Sequence, residues 1–371
     1  MPVLSFAPAL SLLTAFQRVS PVGPFHTLLR TAEARLRPSR ITPYAPAVSA
    51  ARDKVLAGGS AGPHQLATVR HEAGRGATPT IVLGGFVPDA TEQVFLLRQF
   101  LRRSGDIYYV NYPRHGFSLD LFCAQLDDLV DELAERKHQA PVIFSVSFGS
   151  GLLLEWLRRA RLAGRNPGLA GVTLVSPVAC VEDVISPTAP KPATLLGRAL
   201  KPYFESTPAT EAGLIEKSRQ IFARLFEAGA QNRTALQTLM TMGELGHLRG
   251  SVMEAIRTIS PTGARERVQA LRAMSAPPDY FSPALLPLTS APALILFAEN
   301  EAAVLDAGSP TRFALESAHR AYFPSGRVQR VANPFGAPVQ HASLIFHVFN
   351  FLPPISAFYQ RLKSGKLPAA A

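Results

Sequence analysis

The spacing of hydrophobic positions changes along this chain, and the changes mark where its chemistry is to be sought. From about residue 65 short apolar runs alternate with longer amphipathic stretches. "ATVRHEA" (67–73) alternates apolar and polar positions, the period-two pattern of a half-buried strand. "TPTIVLGGF" (78–86) is a continuous apolar run closed by glycines, the pattern of a strand covered on both faces. "DIYYVNY" (106–112), "APVIFSV" (140–146) and "AGVTLVSP" (170–177) read as strands on the same grounds. Between them lie helical patterns. Asp89 and Glu92 have capping-box spacing, with Val94, Leu97 and Leu101 on one face beyond them. Residues 120–137 place Phe122, Leu126, Leu129, Val130 and Leu133 at helical intervals, and "GLLLEWLRRARL" (151–162) forms a third helix. Strands separated by helices predict right-handed crossovers, hence an α/β fold with a mostly parallel central sheet and helices on both faces. Ligands of such sheets bind at the carboxyl ends of the strands, so the residues just after each strand carry the interest.

The alternation stops near residue 178. From there to about 290 the pattern is helical, with amphipathic stretches over 209–229, 231–246, 249–259 and 262–274. The proline-rich segments "PTAPKP" (187–192) and "SAPPDYFSPALLPLTSAP" (275–292) punctuate it. "ALILFA" (293–298) resumes the sheet, "GRVQRVAN" (326–333) adds the last strand, and "HASLIFHVFNFL" (341–352) predicts a helix stopped by Pro353 and Pro354. The expected organisation is an N-terminal arm over 1–60, a core made of 61–178 and 292–371, and a helical insertion over 179–291, after the sixth strand. That insertion is far longer than an ordinary connection. No internal repeat is present.

Composition narrows the class. The 371 residues are 47% hydrophobic and 18% charged, enough apolar material for a buried core and too much for global disorder. The net charge of +11 comes mostly from arginines spread along the chain, with no run of five or six like charges and no interleaved aromatics. That argues against a nucleic-acid partner and leaves a solvated basic surface, or attraction to anionic membranes or acidic substrates. Cys123 and Cys180 stand far apart and outside any C-x-x-C or Cys/His cluster, so neither a disulfide framework nor a zinc site is expected. A cytoplasmic, reducing location fits. The segment "VLSFAPALSLLTAF" (3–16) lacks the preceding charge of a signal peptide and is too short and proline-broken for a membrane span. Residues 1–50 hold Arg18, Arg30, Arg35, Arg37 and Arg40 against Glu33. This pattern suits an arm packed on the domain, a peripheral membrane contact or an organellar targeting segment.

The stretch "PVIFSVSFGSGLLL" (141–154) runs from an apolar strand through a serine- and glycine-rich turn into an amphipathic helix. Strand, sharp turn and helix are the context of a nucleophile elbow, in which a central residue is exposed on a strained turn and the positions two before and two after are small. Ser147 is the central residue, and Ser145 and Gly149 are the small ones; Ser150 is then a packing residue. A serine hydroxyl needs a base, placed after the last strand. His341 meets that requirement; His347 falls inside the expected helix, and His115 and His247 follow no late strand. The base needs an acid after the penultimate strand. "FAENEAAVLD" (297–306) offers Glu299, Glu301 and Asp306, of which Glu301 is favoured, with Asp306 and then Asp183 as alternatives. An oxyanion hole requires two N–H donors, assigned to Phe148 and, in "GGFVPD", to Phe86.

Taken together these segments resemble the α/β-hydrolase superfamily over about 65–180 and 290–352. "IVLGGF" resembles its strand and His-Gly-x oxyanion loop, with Gly84 at the histidine position. "VNYPRHGFS" (110–118) resembles its Asp-x-x-Gly-His-Gly-x-Ser loop, with Asn111 or Tyr112 near the usual aspartate. "SVSFGSG" resembles the elbow, with Ser145 at the first glycine position. "FAENEAAV" resembles the Gly-x-x-Asp-x-x-Val acid loop with Glu301 on the aspartate, and "VQHASL" resembles the Gly-His-x-x-Leu base loop with Gln340 for glycine. The resemblance implies the α/β-hydrolase fold, the order Ser147, Glu301, His341, and a role for the insertion as a helical cap over the site. Met240, Met242, Met253 and Met274 lie in or beside the insertion and suit either a pliable acyl pocket or helical core. The expected activity is serine hydrolysis of carboxylic esters or thioesters of lipophilic acyl groups through an acyl-enzyme on Ser147, with a small-molecule or lipid substrate and no metal or cofactor. An acyltransferase on the same fold and a non-catalytic hydrolase-like binding protein are the alternatives.

Overall fold

Five apolar runs form the middle of one sheet. In the computed structural model, which describes residues 40–204, 208–229, 240–334 and 336–364, these are β3 (Thr80–Leu83), β4 (Ile107–Asn111), β5 (Val142–Val146), β6 (Gly171–Val175) and β7 (Ala293–Ala298). Every residue of the five is buried, as strands covered on both faces require. Of the outer strands, β2 (Thr68–Glu72) and β8 (Gly326–Val331) mix buried and exposed positions, and β1 (Ile41–Tyr44) has half-buried and exposed ones. The strand order is β1-β2-β4-β3-β5-β6-β7-β8. β1 with β2 and β2 with β4 are antiparallel; every other pair is parallel. The chain steps outward from β3 to β4, returns past β3 to β5, and continues the other way through β6, β7 and β8. Right-handed connections running in opposite directions put their helices on opposite faces, and the reversal opens a crevice at the carboxyl ends of β3 and β5.

The main helices are α1 (Ala50–Ala57), α2 (Leu119–Asp131), α3 (Phe148–Leu162), α4 (Leu195–Phe204), α5 (Pro208–Gly229), α6 (Met242–Thr258), α7 (Pro261–Ala273), α8 (Pro310–Tyr322) and α9 (Val348–Ser364). Trp156 of α3 donates to Asp127 of α2 at 2.8 Å, joining these two helices. Tyr359 of α9 meets Phe100 edge-on at 5.4 Å and Thr80 through its hydroxyl at 3.1 Å. Helices α4 to α7 stand between β6 and β7, the place expected for the insertion. Among the described residues no helix is long and apolar enough to cross a membrane.

Several expectations need correction. The arm expected over 1–60 is partly sheet: β1 is an edge strand, and α1 is tied to α2. Asp128 of α2 accepts from the free N–H groups of Ala51 and Arg52 at 2.9 and 3.0 Å, and Glu132 accepts from Tyr44, Ala47 and Val48. Residues 1–39, which hold the apolar segment and most of the arginines of 1–50, lie outside the described residues. The helix expected after Asp89 is two separate turns, Ala90–Gln93 and Arg98–Leu101, and the Asp89 side chain pairs with Arg114 at 2.6 Å instead of capping. The two stretches expected at 231–246 and 249–259 meet in one helix, α6; residues 230–239 lie outside the described residues. Pro353 and Pro354 do not stop α9, which begins at Val348 and runs through both. Buried Phe351, Ile355, Phe358 and Tyr359 anchor it on the core, so packing outweighs the two backbone hydrogen bonds that the prolines remove.

Candidate functional site

β5 ends at Val146 and α3 begins at Phe148, leaving Ser147 as the single residue of the turn. Its φ of 52° and ψ of −116° are costly for a residue with a side chain. Neighbours hold it there. Its N–H donates to Val175 at 2.8 Å, and its carbonyl accepts from Ser150 and Val178 at 2.9 and 3.2 Å. The small residues around it now have physical reasons. A Cβ on Gly149 would sit 2.3 Å from the Gly84 carbonyl oxygen, and one on Gly151 would sit 2.0 Å from that of Val178. Ser145 fits where the elbow usually has glycine because its hydroxyl points into the sheet, donating to Thr173 at 2.8 Å beside Ser150 at 3.0 Å.

His341 lies in the loop between β8 and α9, with its Nε2 2.9 Å from the Ser147 hydroxyl. Its Nδ1 is 2.5 Å from Glu301, in the loop after β7. The carboxylate makes Nδ1 the protonated nitrogen, so Nε2 is left as acceptor for the Ser147 hydroxyl. The other Glu301 oxygen accepts from Ser176 at 2.7 Å and from the Ala298 N–H at 2.6 Å. Burial opposes ionisation of Glu301, but the His341 charge and the hydrogen bonds from His341, Ser176 and Ala298 outweigh it, and its carboxyl lies below the ordinary glutamate range. The loops that carry Glu301 and His341 are stitched together. Asn300 donates through its N–H to Val339 at 2.9 Å and through its amide to Gln340 at 3.1 Å. Glu299 accepts from the Asn333 and Val339 N–H groups at 3.1 and 3.4 Å.

The other candidates are elsewhere. Asp306 accepts from the Gly308 N–H at 3.0 Å, within its own turn. Asp183 is buried among hydroxyl and N–H donors of Ser309, Thr311, Ala179 and Cys180. Neither touches His341. His347 precedes α9 and is buried against the Ser343 hydroxyl at 2.8 Å, and burial lowers its pKa. His115 and His247 are exposed.

The loop after β3 reaches the turn closely: a Cβ on Gly85 would lie 3.5 Å from that of Ser147. Phe86 follows it, and its ring meets that of Phe148 edge-on at 5.4 Å. Three side chains hold this loop: Tyr112, placed by the sequence only near the usual aspartate, and Gln93 and Arg267, which sequence reasoning missed. Gln93 accepts from the Gly85 N–H at 2.6 Å. The Tyr112 hydroxyl donates to the Gly84 carbonyl at 2.8 Å. Arg267, from α7, donates to the carbonyl of Phe86. Burial, and then the nearby Arg114 charge, push the Arg267 pKa down to about 10. A buried arginine 120 positions past Ser147 carries no local sequence signal of its contact.

Ser147 and His341 open into a cavity with about 970 Å³ of empty space, part of it open to solvent. Its far wall is apolar: Phe222, Leu225 and Phe226 of α5 and Val252 and Ile256 of α6. Phe346, from the loop that carries His341, packs on Phe226 at 5.2 Å. None of the four methionines lines it; Met240 and Met274 are buried, and Met242 is 69% exposed. Among the described residues His341 is the one ionisable side chain of the lining.

The strand order, the crevice at β3 and β5 and the single-residue turn at Ser147 together define the α/β-hydrolase fold. Solved structures agree on that fold. A bacterial membrane phospholipase A, described as a novel virulence factor, superposes with a TM-score of 0.55 at 14% identity, covering 99% of this chain and 94% of its own. An esterase from Rhodococcus sp. superposes at 0.53 and 13% identity over 80% of this chain and 96% of its own. MenH from S. aureus gives 0.52 at 15%, over 80% and 98%. No protein-family model and no curated protein sequence matches the chain.

Proposed function

We propose that this chain is a serine hydrolase that cleaves carboxylic esters or thioesters of lipophilic acyl groups through an acyl-enzyme on Ser147. The observation that carries the reading is the continuous hydrogen-bonded chain from the Ser147 hydroxyl through His341 to buried Glu301. In the proposed reaction the Ser147 oxygen attacks the substrate carbonyl while His341 Nε2 takes its proton. Glu301 keeps the imidazole in the required tautomer and stabilises the imidazolium that forms. The Phe148 N–H, first free donor of α3, and the Phe86 N–H receive the oxyanion. His341 then gives the proton to the departing alcohol or thiol, and water, activated in the same way, releases the acid. Helices α4 to α7 act as the cap: α5 and α6 supply the apolar wall that takes the acyl chain. The apolar lining favours lipid-like over charged acyl groups; the phospholipase likeness, at 14% identity, carries the fold and not the substrate.

A fluorophosphonate probe tests the reading. It should label the full chain covalently, and Ser147→Ala should abolish both labelling and turnover of p-nitrophenyl esters. Undiminished labelling of that variant overturns the assignment.

A further inference from the structure

Three successive peptide groups cross the loop after β3, and they are held unequally. In the first, the Gly84 carbonyl accepts from Tyr112 at 2.8 Å and the Gly85 N–H donates to Gln93 at 2.6 Å. In the third, the Phe86 carbonyl accepts from Arg267. The middle group carries the Phe86 N–H, and no group among the described residues engages that donor. With both flanking groups held, the Gly85 and Phe86 Cα positions are set. The middle N–H keeps only rotation about the line between them.

Arg267 is an unusual clamp. It is 2% exposed, and its fork also reaches the carbonyls of Pro113 at 3.0 Å and Tyr112 at 3.4 Å. It lies over the rings of Phe86 and Tyr112, at 5.8 and 5.5 Å. Among the described residues no carboxylate bonds to it directly; nearby Asp89 pairs with Arg114. Burying a cation this way is expensive unless dipoles and ring faces replace water, and here carbonyls of two loops and two aromatic faces do so. An apolar side chain would fill the space more cheaply. What it lacks is a planar fork that ties the loop after β3 to the loop after β4.

We infer that Arg267 is a positioning residue, through which the helical insertion sets the Phe86 N–H for the oxyanion; this rests on the hydrolase reading. Docking of α7 then completes the site, and the insertion acts on the rate as well as on substrate choice. Glu266, next to it in α7, supplies a control. It fastens the insertion elsewhere, accepting from the Phe117 N–H at 2.6 Å and from Gln65 at 2.8 Å, and does not bond the Phe86 loop.

The test compares full-length wild type, Arg267→Met, Arg267→Lys and Glu266→Gln on p-nitrophenyl butyrate and on inhibition by an alkyl trifluoromethyl ketone. The ketone adduct places an oxyanion where the substrate would. Losing one oxyanion donor outright costs about 10²–10³ in rate. Misplacing one in Arg267→Met should lower kcat about 10- to 100-fold and weaken the ketone by a similar factor, with KM within about threefold of wild type. Arg267→Lys, which keeps a buried cation, should fall between the two, and it carries the comparison if the methionine variant does not fold. Glu266→Gln should leave kcat and ketone affinity within about threefold. Wild-type kinetics in the Arg267 variants, a kcat loss without weaker ketone binding, or an equal loss in Glu266→Gln overturns the inference while fluorophosphonate labelling of Ser147 stands. A wild type that is neither labelled nor active overturns the hydrolase reading and this inference together.

Discussion

Glu301 and Asp183 follow neighbouring strands, β7 and β6, and both carboxylates are sealed from solvent. Their surroundings divide their work. Asp183 accepts from five donors: the N–H groups of Ala179, Cys180 and Thr311 and the hydroxyls of Ser309 and Thr311, at 2.6 to 3.1 Å. All five are neutral groups fixed by the fold, so the carboxylate clasps the loop after β6 to the start of α8. Glu301 gives one oxygen to two neutral donors, Ser176 and Ala298, and the other to an imidazole that itself meets a hydroxyl. An acid after a strand is a common signal. What decides its role is whether one of its partners can exchange a proton.

The difference can be broken by amide substitution at each site. Glu301→Gln keeps the shape but cannot stabilise an imidazolium, and kcat should fall roughly 10³-fold, about 4 kcal/mol of transition-state stabilisation. Its melting temperature should stay within a few degrees. Asp183→Asn turns an NH₂ group toward donors and leaves some of them unmet in a buried site, which should cost about 3 kcal/mol of stability. The kcat of the folded fraction should hold within about threefold. Steady-state kinetics and urea unfolding on the two variants read both quantities. The reverse pattern, a stable and inactive Asp183→Asn beside an active Glu301→Gln, would move the acid role to Asp183.

A milder change sharpens the point. The resemblance implies aspartate at position 301, yet the loop is built around a side chain one methylene longer. Glu301→Asp must lose reach either to His341 or to Ser176 and the Ala298 N–H. A kcat loss of about tenfold is expected, larger than a conservative surface change and far smaller than Glu301→Gln. Full activity in Glu301→Asp would show that the loop adjusts freely to either acid.

The Glu301 loop was legible because its residues lie beside a strand that announces itself. β3 to β7 are buried on both faces and therefore read as apolar runs; Ser147 and Glu301 sit just beyond strand ends, and His341 lies farther along the loop after β8. The parts that were hidden are held by distant partners. β1 and α1 depend on Asp128 of α2 and Glu132 just past its end, more than 70 positions away, and nothing local in 41–57 reveals them. α9 looks broken at Pro353 because propensity sees the missing N–H groups and not the core beneath Phe351 and Ile355. α8 is a different case: Ser309 followed by Pro310 is a readable helix start, which the period-based reading passed over. Arg267 is the hardest of all, since an arginine in an amphipathic helix is expected to face water.

The smallest expected effect concerns pH, and tests the surroundings of Glu301 by substitution. The hydrogen bonds and charge around Glu301 hold its carboxyl below its ordinary value of 4.5. A group whose folded pKa is depressed contributes stability that is present above the unfolded value and is lost as pH falls through the folded one. Wild type should therefore lose stability on acidification below about 4.5 in part through Glu301. Glu301→Gln has no proton to take up there. Urea unfolding from pH 4.5 downward should show the gap between wild type and Glu301→Gln shifting in favour of the variant as pH falls. A constant gap across the whole acid range would mean that Glu301 takes up its proton alike in the folded and unfolded chain, and that its bonds to Ser176, Ala298 and His341 do not favour the carboxylate.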